Sequence, residues 1–144
     1  MISIGERTRA VLRLTTSVFL SFPIALFVMM VATDIAYLRT AEIQWTNFSA
    51  WLNVGGMVFG GAVLVLALIA LGLDWRGARR GHRMLYVGLL GLMFVLGLIN
   101  AFKHSQDAWS SVGAFGLILS IASALLALAA GVLFWSGDDR EPVR

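Results

Sequence analysis

Four long apolar runs, separated by short polar stretches, organise the chain. The first reaches from about Ser17 to Leu38, the second from Phe48 to Leu73, the third from Met84 to Phe102 and the fourth from Ser111 to Trp135. About 20 residues at a rise of 1.5 Å each cross a hydrocarbon core of about 30 Å, and each run meets that length. None alternates apolar and polar residues over about ten positions as the strands of a membrane barrel do. The pattern predicts an all-α chain, an integral membrane bundle of four antiparallel helices over 17–38, 48–73, 84–102 and 111–135. A basic segment at 1–16 precedes it and a polar tail at 136–144 follows it. Residues 4–14 suit a short amphipathic helix on the membrane surface. The first run does not end in a small-x-small cleavage site, so it reads as an anchor that is retained.

Charge sets the orientation. Of the eleven Lys and Arg, three lie in the N-terminal segment, four in the 74–83 stretch and two in the tail, with only Arg39 and Lys103 on the other side. Positive residues stay on the cytoplasmic side, so both termini are expected there, in a bacterial inner membrane. Aromatics agree: Tyr37, Trp45, Trp51, Phe102 and Trp109 would mark the outer interface, and Trp75, Tyr86 and Trp135 the inner one.

Composition removes whole classes of function. Hydrophobic residues make up 59% and charged residues 13%, against about 25% charged in an ordinary soluble domain. The net charge of +3 belongs to the membrane-flanking arginines rather than to a nucleic-acid groove. Without cysteine there is no disulfide, thiolate metal site or covalent haem motif. No phosphate loop or nucleophile with a His/Asp partner is legible, so a non-enzymatic protein is expected.

Small and polar residues carry what specific information remains. Gly56 and Gly60 form a small-xxx-small pair, and Gly116, Ser120 and Ala124 recur every four residues. Such stripes let helix backbones approach in lipid, here for helix packing and for holding a partner. Asp34, Asn53, Asn100 and His104 fall near one end of their helices, where an antiparallel bundle would bring them to one level. An ionisable residue within a membrane is costly and faces the bundle interior or water. The cluster therefore reads either as a polar pocket open to the periplasm, with Asp34 its charged member, or as a structural site in which Asp34 pairs with Arg39, Asn100 or Thr33. No metal is expected: His104, Asp107 and Asp34 lack a ligand spacing such as His-x-x-x-His. No cofactor is predicted. Haem between two histidines is disfavoured, because His82 and His104 fall on opposite sides of the membrane.

The segments Phe22-Pro-Ile-Ala-Leu26 with Asp34, Trp45-x-Asn-Phe-Ser-Ala-Trp51, Asn100-x-x-x-His-Ser-x-Asp107 and Gly116-Leu-Ile-Leu-Ser120 resemble the bacterial membrane proteins catalogued as domain of unknown function 2231. The resemblance covers about residues 20–133. It implies a four-helix integral membrane domain without an established activity and, through relatives that accompany c-type cytochromes and sugar dehydrogenases, a membrane or periplasmic redox partner. Many members carry His and Pro before the Phe-Pro-Ile segment and a Tyr-Arg-His segment after the fourth helix. Here Thr15–Ser21 and Phe134–Asp139 stand instead, so a cofactor held by those histidines would not be held in the same way. The resulting expectation is an accessory or anchor module for a partner protein or a second copy. The alternative is an electron-transfer or small-molecule-binding protein that uses the Asp34 cluster.

Overall fold

The computed structural model describes residues 4–73, 75–105 and 113–137. Asp74, the 106–112 stretch with Asp107 and Trp109, and the tail from residue 138 lie outside them. Four α-helices make up the fold: α1 (Ile4–Thr40), α2 (Ile43–Leu73), α3 (Arg80–His104) and α4 (Ala114–Ser136). All four are long and apolar enough to span a bilayer, where every backbone group must bond within its own helix. They pack in a ring: α1 and α3 each touch α2 and α4, so α1 faces α3, and α2 faces α4, across diagonals.

The helices outrun their apolar cores. α1 begins at Ile4, so Arg7 and Arg13 are exposed residues of the same helix rather than of a separate surface helix. Its 37 residues extend about 55 Å. Nothing in 4–16 breaks a helix, and Arg7, Thr8 and Arg13 are exposed on it. Pro23 neither starts nor ends α1; it is fully buried inside it, against Gly60. The 39–47 loop expected between the first two helices shrinks to Ala41 and Glu42. Ala41 closes α1 with φ 57°, its N–H donating to Tyr37 O at 2.8 Å. The Thr40 hydroxyl donates to Ala36 O and accepts from the Glu42 N–H. Left-handed backbone costs a non-glycine L-residue roughly 1 kcal/mol. Ala41→Gly is therefore expected to raise the unfolding midpoint in detergent; a lowered midpoint would show that the turn gains nothing from glycine there.

Apolar side chains fill the bundle's middle: Leu20, Phe27, Met30, Val63, Leu90, Met93, Ala127 and Ala130 are fully buried. Outside, large apolar residues such as Val58, Leu92, Leu125 and Val132 are exposed on three of the helices, and Val28 and Met29 on α1. A surface of this kind meets lipid. At the end of the bundle near the chain termini, Trp135 Nε1 donates to Ser17 Oγ at 3.1 Å. There Arg83 Nη1 donates to Ala70 O at 2.6 Å, which supplies a donor to the closing turn of α2. Tyr86, expected at the interface, belongs to the core, 5.8 Å from the Phe134 ring. His82 is also not a free loop residue: it lies on the first turn of α3 with its ring against Gly137.

The small-residue stripes face inward. Gly56, Gly60, Gly116, Ser120 and Ala124 are all buried. A Cβ on Gly56 would lie 2.8 Å from the Phe27 ring, and one on Gly60 2.7 Å from Met93 Cε. These positions let the bundle's own helices meet. They are not available to an outside partner, contrary to the expectation that the same stripes hold one.

Candidate functional site

Asp34 lies on α1 about two turns from the helix end, fully buried. Each of the other three helices sends a side chain to it. Ser49 of α2 donates its hydroxyl to Oδ1. Ser120 of α4 donates to Oδ2 at 2.5 Å. His104, on the last turn of α3, places Nε2 3.1 Å from Oδ1 across the bundle diagonal. A second rank holds these donors in turn. Asn100 Nδ2 donates to Ser120 Oγ at 2.8 Å and touches Met30 Sδ at 3.7 Å. Thr33 Oγ1 lies 2.6 Å from Ser49 Oγ and 2.9 Å from Met30 O, and its single proton is shared between these two acceptors.

The protons on this network can be placed by donor and acceptor rules. His104 Nδ1 faces the Asn100 carbonyl oxygen at 2.9 Å. A carbonyl only accepts, so Nδ1 carries a proton. One further proton then sits between Nε2 and Oδ1, and the pair is either imidazolium with carboxylate or imidazole with carboxylic acid. Both arrangements have zero net charge, which suits a site inside a membrane domain. Three donors aimed at the two oxygens of Asp34 match the acceptor capacity of a carboxylate.

Of the four residues expected to share a pocket, the structure brings Asp34, Asn100 and His104 into one network. Asn53 sits one turn deeper and donates to Gly97 O at 3.0 Å. Asp34, Asn53 and Asn100 are 0% exposed and the His104 side chain 1%. The cluster is thus closed and packed rather than an open pocket. Asp34 bonds neither Arg39 nor Asn100; its partners are Ser49, Ser120 and His104. Sequence reasoning passed over Ser49 and assigned Ser120 to packing alone. The signal was present: Ser49 lies one turn before Asn53, and Ser120 is the polar member of its stripe.

His104 and His82 stand at opposite ends of α3, about 33 Å apart along its axis. Both ring nitrogens of His104 are already engaged, so a metal or haem iron would have to displace Asp34 from Nε2 or the Asn100 carbonyl from Nδ1. No three His, Cys, Asp or Glu side chains gather among the described residues.

Comparison with known proteins adds the family. The model of a family described as "Predicted membrane protein (DUF2231)" matches residues 17–139, which take in every residue of the Asp34 network. No curated protein and no solved structure matches.

Proposed function

We propose that this chain, which belongs to the DUF2231 family of predicted membrane proteins, serves as a non-enzymatic accessory or anchor module, latched internally at Asp34 and offering its outer surface to a partner. The observation that carries the reading is the convergence on Asp34 of one donor from each of the other three helices. Such a knot holds a bundle in one arrangement, and the internal small-residue stripes are spent on the same purpose. The charge count supports a bacterial cytoplasmic membrane with both termini inside, which places the Asp34 end at the periplasmic side.

The partner surface is then sought outside the ring. Gly88 and Gly91 of α3 have nothing within 4 Å of an added Cβ, so a second backbone is free to approach closely there. A partner helix would come from a membrane or periplasmic redox protein or from another copy of this chain. The test is photo-crosslinking in intact membranes from a benzoylphenylalanine at the neighbouring exposed Leu92. A defined adduct that disappears in Gly88→Leu, while the unfolding midpoint stays unchanged, is the expected result. An adduct pattern indifferent to Gly88→Leu would sink the α3 surface.

A second reading, electron transfer or small-molecule binding at the Asp34 cluster, draws on the pairing of Asp34 with His104. Oxidised and dithionite-reduced visible spectra separate the two. A Soret band that shifts on reduction would favour electron transfer; a featureless visible region is expected, since His104 has no free ring nitrogen to offer.

A further inference from the structure

Beneath Asp34, three buried oxygen atoms make no hydrogen bond: Asn53 Oδ1 on α2, Asn100 Oδ1 on α3 and Ser123 Oγ on α4. All three residues are 0% exposed. Neither amide can be turned around to remove its orphan. Asn53 must keep Nδ2 toward Gly97 O, because that carbonyl only accepts. Asn100 must keep Nδ2 toward Ser120 Oγ, because the Ser120 proton is directed at Asp34 and the hydroxyl has to accept here.

The bonds also place the three atoms within about one turn of one another, Asn53 and Ser123 on the deeper side of Asn100. Asn53 is tied to Gly97, one turn before Asn100 on α3. Asn100 is tied to Ser120, one turn before Ser123 on α4. Gly97 contributes no side chain of its own; a Cβ there would lie 3.2 Å from Met57 Cγ and 3.5 Å from Asn53 Oδ1. Deeper in the bundle the fully buried Phe27 and Met93 lie against Gly56 and Gly60 of α2. An unpaired polar group costs several kcal/mol inside a membrane domain, and here three helices each leave one within about a turn of the others.

The chemistry of the three defines what would satisfy them. Two are amide oxygens that only accept, and one is a hydroxyl that donates as well. We propose that Asn53 Oδ1, Asn100 Oδ1 and Ser123 Oγ form an internal binding site for water, a ligand that donates twice and accepts once, one turn below Asp34. Asn100 belongs to both groups, its NH2 serving Ser120, which in turn donates to Asp34, and its oxygen serving the water. The hydrogen-bonded network thereby runs from His104 at the bundle's end toward its middle, and the proton shared by Asp34 and His104 gains a solvent-like neighbour inside the protein. The inference stands whether or not a partner docks on α3.

A double-mutant cycle on the purified full chain tests it. Asn53 and Ser123 are on the diagonal helices α2 and α4, which do not pack on one another. Their effects should add unless something shared lies between them. The expected result is that Ser123→Ala and Asn53→Ala each lower the unfolding midpoint, and that the second costs less by about 3 °C or more in the background of the first. Additive shifts would overturn the site. Should Asn53→Ala fail to accumulate, the sign for Ser123→Ala decides. A falling midpoint reports a lost water contact, whereas an unchanged or rising one reports an orphan hydroxyl removed at no loss.

Discussion

Asp34→Ala is expected to cost about 3–5 kcal/mol, the loss usual when one member of a buried pair is removed, and to lower the amount of protein in the membrane with it. The reason is the number of groups it strands. Ser49, Ser120 and His104 all direct a donor at this carboxylate, and each comes from a different helix. Without Asp34 the two hydroxyls can turn to carbonyls already within reach, Met30 O for Ser49 and Gly116 O for Ser120. His104 Nε2 has Asp34 as its one partner among the described residues. Asp34→Asn should fall between wild type and Asp34→Ala: it keeps one acceptor oxygen and presents an NH2 where the other was. The pair should also be non-additive. Asp34→Leu with His104→Leu, which replaces the buried pair by apolar groups, should lose less than the sum of the two single changes. Unfolding midpoints and membrane levels of the five variants check this. If Asp34→Ala accumulated and melted like wild type, Asp34 would not be the latch, and a ligand-binding role for the cluster would move ahead.

How much of this was legible beforehand divides along physical lines. The four spans follow from hydrophobic length alone, because a bilayer imposes a minimum run and excludes open strands. The level shared by Asp34, Asn100 and His104 follows from antiparallel order and counting turns. What counting turns does not supply is the rotational setting of each helix. That setting decides that Ser49 and Ser120 point at Asp34 while Asn53 points at Gly97, and that Tyr86 is core rather than interface. It also decides that the Gly56–Gly60 and Gly116–Ser120–Ala124 stripes both face the bundle interior, whereas Gly88 and Gly91 face out. Helix ends were misjudged for a different reason. Polar residues such as Arg7, Gln44 and Arg83 are good helix residues once water is available, so apolar runs mark where the membrane lies and not where the helix stops.

Gly56 provides the second large effect, and a means of separating packing from mere composition. A Cβ there would meet Phe27 Cε1 at 2.8 Å and Cζ at 2.9 Å. Phe27 is fully buried among the core residues, and an aromatic ring has no flexible end to yield. Either α1 and α2 move apart or the ring is forced off its rotamer, and such overpacking costs about 1–3 kcal/mol. Gly60 is as crowded by distance, yet its nearest neighbour is the terminal methyl of Met93 at 2.7 Å, which can swing aside. Gly91 has nothing within 4 Å of an added Cβ, so alanine there removes a poor helix former at no steric cost. The expected order of unfolding midpoints is therefore Gly91→Ala at or above wild type, Gly60→Ala modestly below, and Gly56→Ala lowest. The ring is identified as the cause if Phe27→Leu, destabilising alone, recovers part of the loss in the Gly56→Ala background. Equal midpoints for Gly56→Ala and Gly91→Ala would mean that the α1–α2 contact is loose. Close approach at Gly56 could then not be what brings α2, and Ser49 with it, up to Asp34.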